Sequence, residues 1–434
     1  MDQVRVTIES LAHGGDSVAR HPDGRTMFVR GGCPGDVALV TVTETHDRWM
    51  RGTIAEIAEP SPDRVTPPCP YFGECGGCQW QHVSYARQTA EKRQSLVDAL
   101  TRIGHLADPV VAPVTPSASP YGYRNRVEVS AATGGRRPAF GFARAGTHDI
   151  LPIDSCLLLP RKAQRLPKAL SGALTFLSSR GATDVLRATL RVASSGAVAV
   201  DLWTRPGPFP RAAVARVVAE STGASTVTRV LVRGELDRRD IAGVEVLSGG
   251  GTWTESLDDD RYTVSPTSFF QVNTAAASDL RRHALEAVAP DGSMRVGDLY
   301  AGVGTFTLPL ARAAGEAVAV ESSRFALQDL RRNLDTAGLD ADVVPGDAAH
   351  ALADLGHLDA AIVDPPRVGL SDNAMRALLG ARIPRIVYVS CDPATLSRDV
   401  ARFVAEGYVP GTFIPVDLFP QTHHIETVAV LDLE

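Results

Sequence analysis

Cys391 stands where a thiol could act as a nucleophile. It follows Ile386 to Val389, a β-branched and aromatic run that reads as a buried strand. Pro393, two positions on, suits the first turn of a helix. The tips of strands in open α/β sheets are where such sheets hold ligands. The competing reading is a small buried hydrophobe, the common fate of a free cysteine. A helix beginning at Pro393 should favour the thiolate through the partial positive charge at its start. In FPQTHHIETVAVL, Glu426 opens a final strand beside His423 and His424. A carboxylate there is a candidate general base, with His424 in reserve; the bland alternative is a salt-bridged glutamate at a strand end. Asp364 begins the rigid turn Asp364-Pro365-Pro366-Arg367 after another strand. A thiol with a base suits a reaction that adds sulfur to an electron-poor carbon and later removes a proton.

A second group of sulfurs lies far upstream. CPYFGECGGCQWQH places Cys69, Cys75 and Cys78 within ten positions. Six cysteines cannot staple a chain of 434 residues, so this clustering points to metal binding rather than disulfides. Soft thiolates suit zinc or an iron–sulfur cluster, and the spacing leaves both open. Cys156, in PIDSCLLLP, is the best fourth ligand and His82 is the spare.

Positioning these groups takes three regions. Residues 1–60 carry short apolar runs separated by Gly14-Gly15, Asp23-Gly24 and Gly31-Gly32, which fits a small barrel of the OB type with Cys33 inside it. Residues 61–264 hold the cysteine cluster, an amphipathic helix over 84–104, and strand signals that read as a mostly antiparallel β domain with one helix near 210–221. From 265 to 434 strand and helix signals alternate, which argues a parallel sheet with helices on both faces and a closing strand pair. Its first strand runs into VGDLYAGVGTFTLPLA, where Gly302 and Gly304 let backbone approach a ligand and Asp298 lies just before. Glu321 ends the second strand about 20 residues later, the place for a carboxylate that holds ribose hydroxyls. Asp347 follows the third strand, placed to meet an adenine amino group. A dinucleotide loop would carry a third glycine for the pyrophosphate, and its lack favours S-adenosylmethionine.

Composition bounds the rest. Apolar content of 44% and charged content of 22% exclude wholesale disorder. No apolar run is long enough for a membrane span and the first residues lack a leader pattern, so a cytoplasmic protein without membrane contact is expected. The net charge of −6 does not by itself indicate a nucleic-acid binder. Local clustering is more informative: Arg124, Arg126, Arg136, Arg137 and Arg144 accompany one acid, Glu128, between 119 and 148. A basic face of this kind suits a phosphate backbone, against the alternative of an ordinary solvated arginine surface. Arg124, Asn125, Arg126, Arg136 and Arg137 are the RNA-contact candidates. The region 1–60 instead has six arginines against nine acids.

SFFQVN (268–273), DPPR (364–367), SCDPATLSRD (390–399) and FPQTHHIE (419–426) together resemble the RNA 5-methyluridine methyltransferase family. HGGDSVAR and FVRGGCPGD resemble the TRAM domain, an RNA-binding barrel. The resemblance implies a class I, Rossmann-like methyltransferase domain and a methyl donor, S-adenosylmethionine, bound by Gln271, Tyr300, Thr305, Glu321, Asp347 and Asp364. It implies Cys391 as nucleophile and Glu426 as base. Carbon 5 of uracil is a poor nucleophile until a thiolate adds at carbon 6, which is why sulfur is needed. The barrel with four cysteines is similar to the ribosomal RNA branch, so Cys69, Cys75, Cys78 and Cys156 are expected to hold a four-iron–four-sulfur cluster, with zinc as the alternative. The expected partner is structured RNA, ribosomal first and transfer RNA second, met by a monomer. Rival readings are a cytosine-C5 methyltransferase and a non-catalytic RNA-binding assembly factor.

Overall fold

The computed structural model describes residues 2–132, 138–181, 183–234 and 240–434. Arg136 and Arg137 lie outside them. The first five strands, β1 (Gln3–Leu11), β2 (Ser17–Arg20), β3 (Thr26–Arg30), β4 (Val37–Thr45) and β5 (Trp49–Glu59), close into a barrel in the order β1-β2-β3-β5-β4. Alternate residues Val6, Ile8, Met27, Val29, Ala38 and Val40 point inward and form its core. Gly52 is required where β5 crosses β4, because a Cβ there would sit 2.4 Å from the Val40 side chain. Cys33 is buried, but with Leu11, Trp80 and Val83 rather than in the barrel core.

Helix α1 (Tyr85–Arg102) follows, capped by the Ser84 hydroxyl, which accepts from the Arg87 amide. Its apolar face carries Leu96 and Leu100 into the core of the last domain, not of the middle one. The chain from Val111 to Thr115 then runs parallel to a late strand, bridging to Phe413 and Val416. Residues 85–115 thus belong structurally to the C-terminal layer, although the sequence pattern groups them with the region 61–264.

The middle domain is a seven-stranded sheet of β6 (Arg126–Ala131), β7 (Phe140–Ala143), β8 (Ile150–Leu151), β9 (Val185–Val192), β10 (Val198–Thr204), β11 (Thr226–Arg233) and β12 (Asp240–Ser248), in the order β12-β11-β10-β9-β6-β7-β8. It is antiparallel except between β10 and β11, which are joined by the crossover helix α3 (Arg211–Thr222). Helix α2 (Leu166–Ser179), which packs Leu170, Leu174 and Leu177 on the sheet, is an addition to the elements expected from the sequence. A hairpin, β13 (Trp253–Leu257) and β14 (Asp260–Val264), leads into the last domain and packs against its helices.

That domain begins with α4 (Thr274–Val288), capped by Asn273, a second helix beyond those expected. Then come β15 (Arg295–Leu299), α5 (Thr307–Ala313), β16 (Glu316–Glu321), α6 (Arg324–Ala337), β17 (Asp342–Pro345), α7 (Ala348–Ala351), β18 (Ala360–Val363), α8 (Asp372–Ala381), β19 (Arg385–Ser390), α9 (Pro393–Ala405), β20 (Tyr408–Val416) and β21 (Glu426–Leu433). The sheet order is β17-β16-β15-β18-β19-β21-β20, parallel through β19 and antiparallel in the closing pair. Chain order reverses between β15 and β18, so the crevice above their C-terminal ends is the expected ligand site.

Candidate active site

Three neighbouring strands deliver the reactive groups. Asp364 follows β18, Cys391 follows β19, and Glu426 opens β21. β18 and β19 are parallel partners, with Val363 opposite Tyr388. β19 and β21 are antiparallel, with Ser390 opposite Thr427, so the next position sets Cys391 beside Glu426. Cys391 is half-buried and Glu426 is buried.

The electrostatics differ from the expected activated thiolate. Burial, with the Glu426 and Asp364 carboxyls nearby, pushes the Cys391 thiol up to about 12. The helix start does not offset this, because Asp392 occupies it: its Oδ1 accepts from the amides of Ala394 and Thr395 at 3.0 and 3.1 Å. The capping carboxylate cancels the partial charge that was to favour the thiolate. Burial likewise raises Glu426 to about 8 and Asp364 to about 7. Both can therefore exchange a proton near neutrality. Burial lowers His424 to about 3, with His423 and Arg367 adding to the effect. Its Nδ1 lies 3.3 Å from Arg367 Nη2. These surroundings make it a weaker base than Glu426.

Other candidate residues lie at the C-terminal ends of β15, β16 and β17. Tyr300 leaves β15 with a φ of +72°, a strained conformation outside glycine. Gly302 and Gly304 follow, also at positive φ, and a Cβ at Gly304 would meet Leu308 and Leu330 at 2.7 Å. Glu321 is fixed by two amides: Gly302 N donates to Oε2 at 2.8 Å and Ser323 N to Oε1 at 2.6 Å. Asp347 caps α7, and burial, with Asp347 adding to it, raises the Tyr300 phenol. Thr307 Oγ1 donates to Asp298 Oδ2 at 2.5 Å. Gln271 is buried, and its Oε1 has no partner among the described residues. A cradle of free backbone, fixed carboxylates and an orphaned amide oxygen fits a polar ligand carrying ribose and amino groups.

Cys69, Cys75, Cys78 and Cys156 line one cavity of about 550 Å³, with Tyr71 and Arg124. Burial raises the thiols of Cys75, Cys78 and Cys156, Cys78 to about 12. Among the described residues no three His, Cys, Asp or Glu side chains converge closely enough to hold a single metal ion. Four thiols lining one cavity are a soft donor set, and they fit zinc or an iron–sulfur cluster by their chemistry alone. His82 is buried elsewhere, its Nε2 2.8 Å from the Gly32 carbonyl, so the spare ligand is not with the thiols.

The arginine-rich segment is also used internally. Arg124 faces the cysteine cavity, and Arg126 lines it while lying 3.7 Å from Glu128. Asn125 is buried, and its side-chain amide donates to the Gln271 carbonyl at 2.8 Å and to Thr274 Oγ1 at 3.0 Å. Asn125 thereby clamps the segment that carries Gln271. The sequence offers no local signal for a bond between residues so far apart.

A seven-stranded sheet of this order, with a glycine loop after its first strand and an acid ending its second, is that of a class I methyltransferase. The TRAM domain family model matches residues 2–55, and the tRNA (uracil-5-)-methyltransferase model matches residues 352–433. An RNA methyltransferase of Gloeobacter violaceus is 34% identical over 99% of this chain and 96% of its own. The 23S rRNA (uracil(1939)-C(5))-methyltransferase of Chromohalobacter salexigens is 34% identical, over 98% of this chain and 88% of its own. The Pyrococcus abyssi tRNA (uracil-54, C5)-methyltransferase, solved with S-adenosyl-L-homocysteine, superposes with a TM-score of 0.75 at 27% identity, covering 99% of this chain and 100% of that one. The chain belongs to the RNA (uracil-5-)-methyltransferase family.

Proposed function

We propose that this protein transfers a methyl group from S-adenosylmethionine to carbon 5 of a uridine in RNA, through a covalent adduct on Cys391. The observation that carries this reading is the meeting of Cys391, Glu426 and Asp364 at three adjacent strand ends, beside the donor crevice. Gln271, Tyr300, Thr305, Glu321, Asp347 and Asp364 would hold the donor, which supplies an electrophilic methyl carbon. The donor's sulfonium charge would favour the thiolate against the burial and the carboxyls that raise it. Cys391 gives its proton to solvent, the thiolate sulfur bonds carbon 6, and the displaced electron pair makes carbon 5 nucleophilic. Carbon 5 takes the methyl group as the donor's carbon–sulfur bond breaks. Glu426 removes the carbon 5 proton, and the returning pair restores the ring double bond and expels the thiolate. The target base must leave its stack to reach Cys391.

Large-subunit ribosomal RNA is the favoured substrate, supported by the similarity to the Chromohalobacter enzyme and by the four-thiol cavity. The likeness to the Pyrococcus enzyme supports transfer RNA as the second reading. Cys69, Cys75, Cys78 and Cys156 would hold a four-iron–four-sulfur cluster that braces the fold, since methyl transfer moves no net electron. Six free cysteines fit a reducing cytoplasm, and among the described residues no helix is long and apolar enough to cross a membrane. Incubation with labelled donor and unmodified ribosomal or transfer RNA, then nucleoside mass spectrometry, tests the reading. 5-Methyluridine in ribosomal RNA is expected. Methylcytidine alone, or no product, would overturn it.

A further inference from the structure

The N-terminal barrel reaches into the methyl-transfer site. His13 lies in the β1–β2 turn, and its Nε2 is 3.2 Å from Asp392 Oδ2, although the two are 379 residues apart. A carboxylate only accepts hydrogen bonds, so Nε2 carries the proton. Asp392 directly follows Cys391, and its other oxygen caps α9. His13 also meets His423 edge to face at 5.1 Å, and His423 packs on His424 at 4.0 Å. His424 approaches Arg367, whose Nε lies 3.9 Å from Asp392 Oδ2. His13, His423, His424 and Arg367 therefore close a ring with Asp392, the residue after the nucleophile.

The turn that bears His13 is pinned on both sides. Before it, the Leu11 amide donates to Glu91 Oε2 of α1 at 2.7 Å. After it, the Gly15 carbonyl accepts from Trp80 Nε1 at 3.1 Å. Gly14 and Gly15 have φ of +114° and +100°, and a Cβ on Gly15 would press into the Gln79 side chain at 2.7 Å. A turn held this firmly presents its tip side chain in one place, with Asp392 and Arg367 facing it from one side, His423 and His424 from another, and Glu91 from the α1 side. We infer that His13 is a positioning residue for methyl transfer, delivered by the barrel and acting through Asp392 to fix the Cys391 loop. The barrel would then complete the catalytic site, beyond any role in holding RNA.

The inference rests on the reading of Cys391 as nucleophile, and the test separates the two. Single-turnover methyl transfer is measured with the full chain at saturating donor and RNA. His13→Phe keeps the edge contact with His423 but removes the hydrogen bond, and should slow transfer up to about fivefold, the worth of a solvent-exposed charged pair. Donor and RNA affinities should not change. His13→Gln, whose amide can donate to Asp392, should recover most of the rate. His13→Phe combined with Asp392→Asn should be no slower than the slower single variant. A wild-type rate in His13→Phe, a loss confined to RNA affinity, or no recovery in His13→Gln would overturn the inference. Normal transfer by Cys391→Ala would instead overturn the reading of the nucleophile.

Discussion

Replacing Glu426 with glutamine should change both the chemistry and the stability of this protein, in ways that depend on pH. In the folded protein the carboxyl rises from 4.5 to about 8, mainly because burial penalises its charged form. A group raised on folding contributes stability that is fully present below its unfolded value and lost as pH climbs through its folded value. Wild type should therefore weaken between about pH 4.5 and pH 8, and the full effect corresponds to about 5 kcal/mol. Glutamine does not ionise, so the variant lacks this term. Its amide brings a burial cost of about 1–3 kcal/mol that is independent of pH. The diagnostic quantity is thus the slope: the stability of Glu426→Gln relative to wild type should rise by several kcal/mol from pH 5 to pH 9. For a chain of 434 residues that is roughly 4 °C in midpoint. Thermal melts of both proteins across that range provide the assay. With RNA and donor present, the variant should also accumulate an RNA–protein adduct that survives denaturation, because the carbon 5 proton stays in place. A stability gap flat with pH would refute the buried, proton-sharing carboxyl, and an adduct no more abundant than in wild type would refute its role as base.

Cys391→Ala should bind the donor normally in calorimetry yet give no denaturant-resistant RNA adduct and no methylated product. Lys92→Met should lower stability by about 3–5 kcal/mol, because it strips the partner from buried Asp417, and a lowered unfolding midpoint checks it. The Lys92 ammonium donates to Asp417 Oδ1 at 2.6 Å and to the Phe419 carbonyl at 3.0 Å, with the Lys92 and Asp417 side chains fully buried. Protein purified without oxygen should be brown and contain iron, and Cys78→Ala should lose both, while a colourless zinc protein would remove the iron–sulfur assignment.

Much of this is legible in the chain because it repeats locally. The βα alternation after 265 exposes the doubly wound sheet, and apolar β-branched runs next to Asp364, Cys391 and Glu426 mark the strand tips that meet in the site. What stays hidden depends on contacts between distant residues, which leave no periodicity. Nothing near Asn125 signals that it clamps Gln271, and nothing in the pattern of α1 says that Leu96 and Leu100 bury against the C-terminal sheet. The expected thiolate fails for a related reason. The helix after Cys391 is where the sequence puts it, but Asp392 both starts that helix and cancels its charge, and two acids from other strands raise the thiol further.

The loop before Glu426 shows why the domains act together. Gln421 holds a φ of +70°, a conformation that costs a non-glycine residue about 1–3 kcal/mol and persists only where its surroundings impose it. Those surroundings come from every side. The amides of Gln79 and Trp80, next to the cysteine cluster, both donate to the Gln421 carbonyl at 3.0 Å. Gln88 of α1 exchanges hydrogen bonds with Gln421, its Nε2 donating to Oε1 and its Oε1 accepting from the Gln421 amide, each at 3.0 Å. Tyr123 donates to the Pro420 carbonyl at 3.0 Å, and Lys92 holds Asp417 and Phe419. The segment carrying the candidate base is therefore set by residues that precede the methyltransferase domain in the chain. A C-terminal domain cut free at 265 would keep Cys391 and Glu426 but lose every one of these restraints, so its strained loop would relax and the base would no longer be held beside the thiol.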